Sequence, residues 1–222
     1  MTAPPASDNP GDGSGDGSGG AEGRPPVDIL TRLSPERLRT LVVDPGFAAV
    51  VKSGAVRAVL EQVLRIGGEV TAAVAGSRLV GYVTIHPIEP VRWEGKLYHR
   101  RWERLTRGME LGSIEVSRNW RGRRIGERLV LAAMRDGSWD GHILISEELS
   151  WHWDYENLHL TKREYRAMLQ RLLGKGGFVE YRTDDPNVRL DPVNIFMARV
   201  GPEVPEAERA RFRALLVTGE RG

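Results

Sequence analysis

Four arginines and two glycines crowd the run Arg121-Gly122-Arg123-Arg124-Ile125-Gly126-Glu127-Arg128. Guanidinium and backbone N–H groups are donors suited to phosphate oxygens, and glycines let a chain approach a ligand closely. After the run, Ile125, Leu129, Ala132 and Ala133 recur at helical spacing and predict a helix with one apolar face. Before it, residues 111–116 (Leu-Gly-Ser-Ile-Glu-Val) predict a strand. A helix start has unpaired N–H groups and a partial positive charge, so this strand–turn–helix suits a phosphate. A pyrophosphate held there belongs to a nucleotide-like cofactor. The turn matches neither a Walker loop nor G-x-G-x-x-G. The competing reading is a basic start on a solvated helix, and the strand before it argues against that.

Composition removes several other chemistries. The 222 residues contain no cysteine, so no disulfide, thiolate metal site or acyl-cysteine intermediate can form. The five histidines (His86, His99, His142, His152 and His159) lack metal-ligand spacing, and no metal site is expected. No apolar run approaches the roughly 20 residues that span a bilayer, and no signal-peptide pattern opens the chain. The expectation is a cytoplasmic protein without membrane association. The formal charge of +2 hides a split. Residues 1–26 carry four acids against Arg24, a net of −3 that leaves +5 on the remainder. That surplus suits a polyphosphate cofactor better than nucleic acid, which takes a concentrated basic face.

The turn resembles the signature of the GNAT N-acetyltransferases, R/Q-x-x-G-x-G/A, which wraps the coenzyme A pyrophosphate. Arg121, Ile125 and Gly126 fit it, whereas Arg124 stands where that superfamily usually has its first glycine. Gly122 is positioned to relax the turn instead. A second resemblance covers most of residues 78–201. It rests on Val80-Gly81-Tyr82, Arg92-Trp93, Glu110-Leu111-Gly112-Ser113-Ile114-Glu115-Val116, Trp151-His152-Trp153-Asp154, Glu164-Tyr165-Arg166, Gly176-Gly177-Phe178, Thr183-Asp184-Asp185-Pro186 and Met197-Ala198-Arg199-Val200-Gly201. This order is similar to the acetoin-utilization protein acetyltransferase family. The likeness implies acetyl-CoA as co-substrate and a protein lysine as acceptor, with an acyl-CoA synthetase, specifically an acetyl-CoA synthetase, as the partner.

The resemblance also implies residue roles. Backbone groups of Ile114 and Val116 would pair with the pantetheine, one N–H facing the thioester oxygen, while Arg121, Gly122, Arg123, Arg124, Ile125, Gly126 and Glu127 would hold the pyrophosphate. Transfer is expected to be direct, without a covalent enzyme intermediate. A free lysine has a pKa near 10.4, so about one in a few thousand is neutral at pH 7, and a base is needed. The candidates are Glu115 on the central strand, Glu148 (with Glu147) at the end of the next strand, and His152. Tyr155 and Tyr165 are candidate acids for the leaving thiolate. Trp151, Trp153 and Asp154 are candidates for acceptor contact, although six tryptophans at or beyond the ends of the regular elements fit core anchoring equally well. Two rival functions stay open: a non-catalytic acyl-CoA sensor that inhibits a partner enzyme, and an acetyltransferase for small amines.

These groups require a scaffold. Residues 1–26, rich in Gly, Ser, Pro and Asp, predict a disordered leader, and residues 27–222 a single N-acetyltransferase domain. Ser34-Pro35 opens a helix; residues 47–52 and 55–66 predict more helix, ended at Gly67-Gly68. Residues 70–74 and 79–85 predict a hairpin, and residues 87–108 a long surface connection. Strand 111–116, the phosphate helix and strand 142–146 form a central strand–helix–strand unit. A helix over 161–173 with the Thr161/Glu164 capping box, strands 178–182 and 195–200, and a helix over 205–216 complete an α/β fold with a mixed sheet and extra N-terminal helices.

Overall fold

The computed structural model describes residues 25–47 and 53–219. The leader apart from its last two residues, and most of the helix expected over 47–52, lie outside the described residues.

The chain runs β1 (Asp28–Leu30), α1 (Pro35–Thr40), β2 (Val42–Val43), α2 (Ser53–Arg65), β3 (Glu69–Ala75), β4 (Arg78–Pro87), β5 (Val91–Trp93), β6 (Lys96–Tyr98), β7 (Gly108–Val116), α3 (Ile125–Met134), β8 (Ile143–Glu148), α4 (Lys162–Gly174), β9 (Val179–Tyr181), α5 (Pro186–Arg189), β10 (Ile195–Val200) and α6 (Glu206–Leu216). The main sheet has the order β1-β3-β4-β7-β8-β10-β9, with β2 added alongside β4. Its neighbours are antiparallel except β7–β8 and β2–β4. A parallel pair needs a crossover, and α3 supplies it. No described helix is long and apolar enough to cross a membrane.

Each helix follows from its local chemistry. Ser34 caps α1 by accepting from Arg37 N at 3.2 Å, with Pro35 in the first turn. In α2, Val56, Leu60 and Val63 fall on one stripe and are buried. Thr161 and Glu164 cap α4 reciprocally. Gly81 lets α3 lie close on β4, since a Cβ there would fall 3.1 Å from Leu129 Cδ1.

One face of the sheet is covered by α3 and α4, with Ile125, Leu129, Val130, Leu169 and Leu173 at the contact. The other face carries two separate apolar clusters. Leu38, Val56, Leu60 and Tyr82 form one, under α1 and α2. Trp102, Ile143, Ile145, Phe196 and Phe212 form the second, under α6. Between them lies β7. Its apolar residues, including Leu111, Ile114 and Val116, pack toward α3 and α4.

The connection 87–108 departs from its expected surface character. It forms the β5–β6 hairpin and then a 3₁₀ turn that buries Trp102 completely, stacked on Phe196 at 4.3 Å. Trp120 and Trp139 are buried too, so core anchoring accounts for three of the six tryptophans.

Candidate active site

Pairing of β7 with β8 extends only over Gly108–Glu110 against Ile143–Ile145. Beyond it Ser146 Oγ reaches Leu111 O at 3.4 Å, and then the strands diverge. On its other side β7 shifts register against β4 between Ser113 and Leu111, so Gly112 is an extra residue. A bulge bends its strand, and this one turns the end of β7 away from β8.

Where the strands part, a cleft of about 270 Å³ opens toward α3 and α4. One wall consists of Ile114, Glu115, Val116, Trp120, Arg121, Gly122, Arg124, Ile125 and Gly126. Most of the residues expected to hold a cofactor therefore converge. The exceptions are Arg123, whose guanidinium sits 5.1 Å over the Trp120 ring, and Glu127, which accepts from Lys175 Nζ at 2.8 Å. On the opposite wall Tyr165 is one of the candidate acids, whereas Leu158, Met168, Leu169 and Leu172 carry no assignment from sequence. Its signal was there, since positions 165, 168, 169 and 172 form one stripe of α4.

The turn itself is arranged for an anion. Arg124, at the N-cap of α3, has no side-chain cap and the left-handed φ of 54°. Gly122 has a φ of 79°, so both residues flanking Arg123 are left-handed. A glycine costs nothing in that region, whereas the arginine at the superfamily's glycine position costs about 1–2 kcal/mol. Arg123 Nη1 is buried without a hydrogen-bond partner among the described residues. A Cβ on Gly126 would meet nothing nearer than Leu172 at 3.8 Å, so the protein itself leaves room there. Unpaired N–H groups and a bare glycine fit a pyrophosphate.

Two buried carboxylates hold this turn. Asp44, 3% exposed, accepts from Ser117 Oγ (2.5 Å), Asn119 Nδ2 (2.9 Å), Trp120 Nε1 (3.0 Å) and Gly46 N (2.9 Å). Burial pushes its carboxyl up, but these donors more than offset that and hold it below the usual carboxylate range. Asp154 plays a similar part. It is 7% exposed and accepts from Arg118, from Arg121 Nη2 at 2.7 Å and from Asn157. These donors keep Asp154 ionised despite burial. Trp153 stacks on Tyr165 at 5.3 Å, whereas Trp151 is 52% exposed. Only Trp151 of this group presents itself to solvent as a contact residue would.

The three candidate bases do not share one place. Glu115 faces away from α3, is 3% exposed and accepts from Tyr82 Oη at 2.7 Å. Burial, then the charge of Glu115, raises the Tyr82 phenol and keeps it a donor. Glu148 accepts from Ser146 Oγ at 2.9 Å, and burial raises its carboxyl. His152 lies on an exposed 3₁₀ turn against Trp151 and does not line the cleft. Beside Glu115, on the face with the two apolar clusters, stands a polar group of which sequence reasoning named only Glu147. Arg100 binds Glu110 with both guanidinium nitrogens (2.5 and 3.0 Å) and reaches Glu147 at 3.2 Å, which also accepts from Trp102 Nε1 at 2.7 Å. Burial pushes the Glu147 carboxyl up to about 7, although Arg100 pulls the other way. Among the described residues no group of three His, Cys, Asp or Glu could hold a metal ion.

Comparison with known proteins agrees with this geometry. The acetyltransferase (GNAT) family pattern matches residues 43–142. The acetoin utilization protein AcuA of Bacillus licheniformis is 37% identical over 150 residues, 67% of this chain and 68% of that protein. AcuA of Bacillus subtilis strain 168 is 34% identical over the same shares. The crystal structure of an acetoin utilization protein from Exiguobacterium sibiricum 255-15 superposes with a TM-score of 0.80 at 29% identity, covering 87% of this chain and 90% of that one. A single GNAT-type fold and this degree of identity place the chain in the AcuA family of GNAT acetyltransferases.

Proposed function

We propose that this protein transfers the acetyl group of acetyl-CoA directly to a lysine of a protein acceptor, and that the acceptor is an acyl-CoA synthetase, most specifically an acetyl-CoA synthetase. The observation that carries the reading is the end of β7–β8 pairing at Glu110 and Ile145, beyond which the last residues of β7 and the phosphate turn line one cleft. The name of the AcuA relatives supports a role in acetoin utilization.

In this reading the first N–H groups of α3 bind the pyrophosphate. Backbone groups of β7 around Ile114 to Val116, freed where β8 leaves, pair with the pantetheine and polarise the thioester carbonyl. An amine arriving on the opposite face meets Glu110, Glu115 and Glu147, whose negative charge outweighs Arg100. A lysine ammonium is attracted there and attacks through the gap once it has lost a proton. Of the sequence candidates, Glu115 and Glu147 stand on that face. No protein nucleophile is required.

The test is intact-mass analysis of purified acetyl-CoA synthetase incubated with this protein and acetyl-CoA. An acetyl increment that maps to a lysine supports the reading. No increment on the synthetase, with acetylation of spermidine instead, would assign a small-amine enzyme. Inhibition of the synthetase without any increment would assign a sensor.

A further inference from the structure

We propose that His86 is the group that removes the proton from the incoming lysine ammonium, through Nε2, at the bulge of β7; this rests on the acetyl-transfer reading above. Three geometric facts lead to it. His86 Nδ1 lies 2.9 Å from the Pro87 carbonyl oxygen, which can only accept. Nδ1 therefore carries the hydrogen, and the neutral ring presents a lone pair at Nε2.

That lone pair lies over the bulge. A Cβ on Gly112 would collide with Nε2, and a Cβ on Gly68 would fall 2.8 Å from the His86 Cβ. Two glycines thus make room for one imidazole. Gly112 is also where the sheet opens, two residues past the last β7–β8 pair at Glu110 and Ile145. His86 stands directly opposite Glu110 in the β4–β7 register, so the two share a face. This is the seam face, and the β7–β8 gap lies between it and the cofactor cleft.

Charged groups line the seam beside the imidazole. Glu110 faces it from β7, and Arg100 bridges Glu110 to Glu147 of β8. Glu115 lies further along β7, tied to Tyr82 of β4. On the β3 side Glu69 is paired with Arg32 at 3.6 Å. Carboxylates outnumber arginines, which draws in an ammonium. The rival carboxylates are already engaged. Glu147 accepts from Trp102 and Arg100 on its two oxygens, and Glu115 accepts from Tyr82.

The step balances without a co-reactant. An ammonium N–H proton passes to Nε2, and the freed amine attacks the thioester carbon. As the C–N bond forms the C–S bond breaks; the thiolate takes the second amine proton, leaving amide and thiol. The imidazolium returns its proton to solvent.

The experiment compares wild type, His86→Gln and His86→Ala in the full chain, with acetyl-CoA synthetase as acceptor. Loss of a positioned base should lower kcat by ~10²-fold or more and abolish the acidic limb of the kcat/KM profile, while acetyl-CoA affinity in calorimetry holds. Free imidazole should restore part of the His86→Ala rate, a rescue that a structural role would not give. An acceptor-independent readout uses a lysine peptide joined to coenzyme A through an acetyl spacer. That analogue should shift the His86 Nε2 nitrogen resonance, and coenzyme A alone should not. Wild-type kcat with an intact acidic limb in His86→Gln, or an unmoved resonance with bound analogue, overturns the assignment. If wild type acetylates no synthetase but the analogue still moves Nε2, the acceptor reading fails and the assignment of His86 stands.

Discussion

Replacing Gly126 with alanine separates what the fold needs from what the cofactor needs. Gly126 is the second residue of α3, and its φ is not left-handed. A Cβ there would make ordinary contacts with Leu172 at 3.8 Å and Val116 Cγ2 at 3.9 Å. Alanine is better than glycine in a helix by roughly 0.5–1 kcal/mol, so the variant should be slightly more stable. For a domain of this size that is a rise of about 1–4 °C in Tm. Binding should move the other way. N–H to phosphate contacts close to about 2.7–3.2 Å, and a methyl group at the start of α3 holds the phosphate off. Losing one charge-assisted hydrogen bond costs about 1.5–3 kcal/mol, or roughly 10- to 100-fold in affinity. Calorimetry with acetyl-CoA and a thermal melt on the same protein measure both quantities. Wild-type affinity in Gly126→Ala would refute the placement of the pyrophosphate at α3. A fall in both Tm and affinity would show that the glycine serves packing.

Three further outcomes follow from the same turn and the seam. Arg124→Gly removes a left-handed non-glycine residue and should stabilise by up to about 1 kcal/mol in denaturant titration, with acetyl-CoA still bound. Asp44→Ala strips the acceptor from Ser117 and Trp120, both buried, and should cost roughly 3–5 kcal/mol and weaken acetyl-CoA binding; a loss under about 1 kcal/mol would refute its part in holding the turn. The pH dependence should have two parts of opposite sign. Asp44 and Asp154 are held below the ordinary carboxylate range, so their contribution is complete above it and lost as the pH falls through their folded values. Glu147 is raised from 4.5 to about 7, so the unfolded chain ionises first and stability declines between those values, by on the order of 3 kcal/mol. Glu147→Gln should flatten that decline, and an unchanged slope in the melts would count against it.

What could be read in the sequence was local. The strand into the phosphate turn, the α4 capping box and β10 all announce themselves within a few residues, because caps, glycines and periodicity act over one or two turns. β10 was expected over 195–200 and is found there, and β8 was expected over 142–146 and spans Ile143–Glu148. β1, β2, β5 and β6 escaped because two or three residues cannot display a period. The seam escaped for a different reason. Arg100 meets Glu147 only after the sheet has aligned β7 with β8, and Asp44 meets Ser117 across 73 positions of sequence. Neither ion pairs nor hydrogen bonds over such spans leave a spacing rule behind.

The Trp151-His152-Trp153-Asp154 block shows the same limit from the other side. Its composition suggested an acceptor surface, but two of its members serve the cofactor side. Asp154 ties the block to Arg118 and Arg121, and Trp153 lies on Tyr165 of the cleft wall. Arg121 is thereby engaged before any phosphate arrives. A bound pyrophosphate and Asp154 draw on the same guanidinium, so anything that loosens Asp154 also changes how firmly Arg121 can meet the cofactor. The exposed Trp151 sits three residues away on the same short segment.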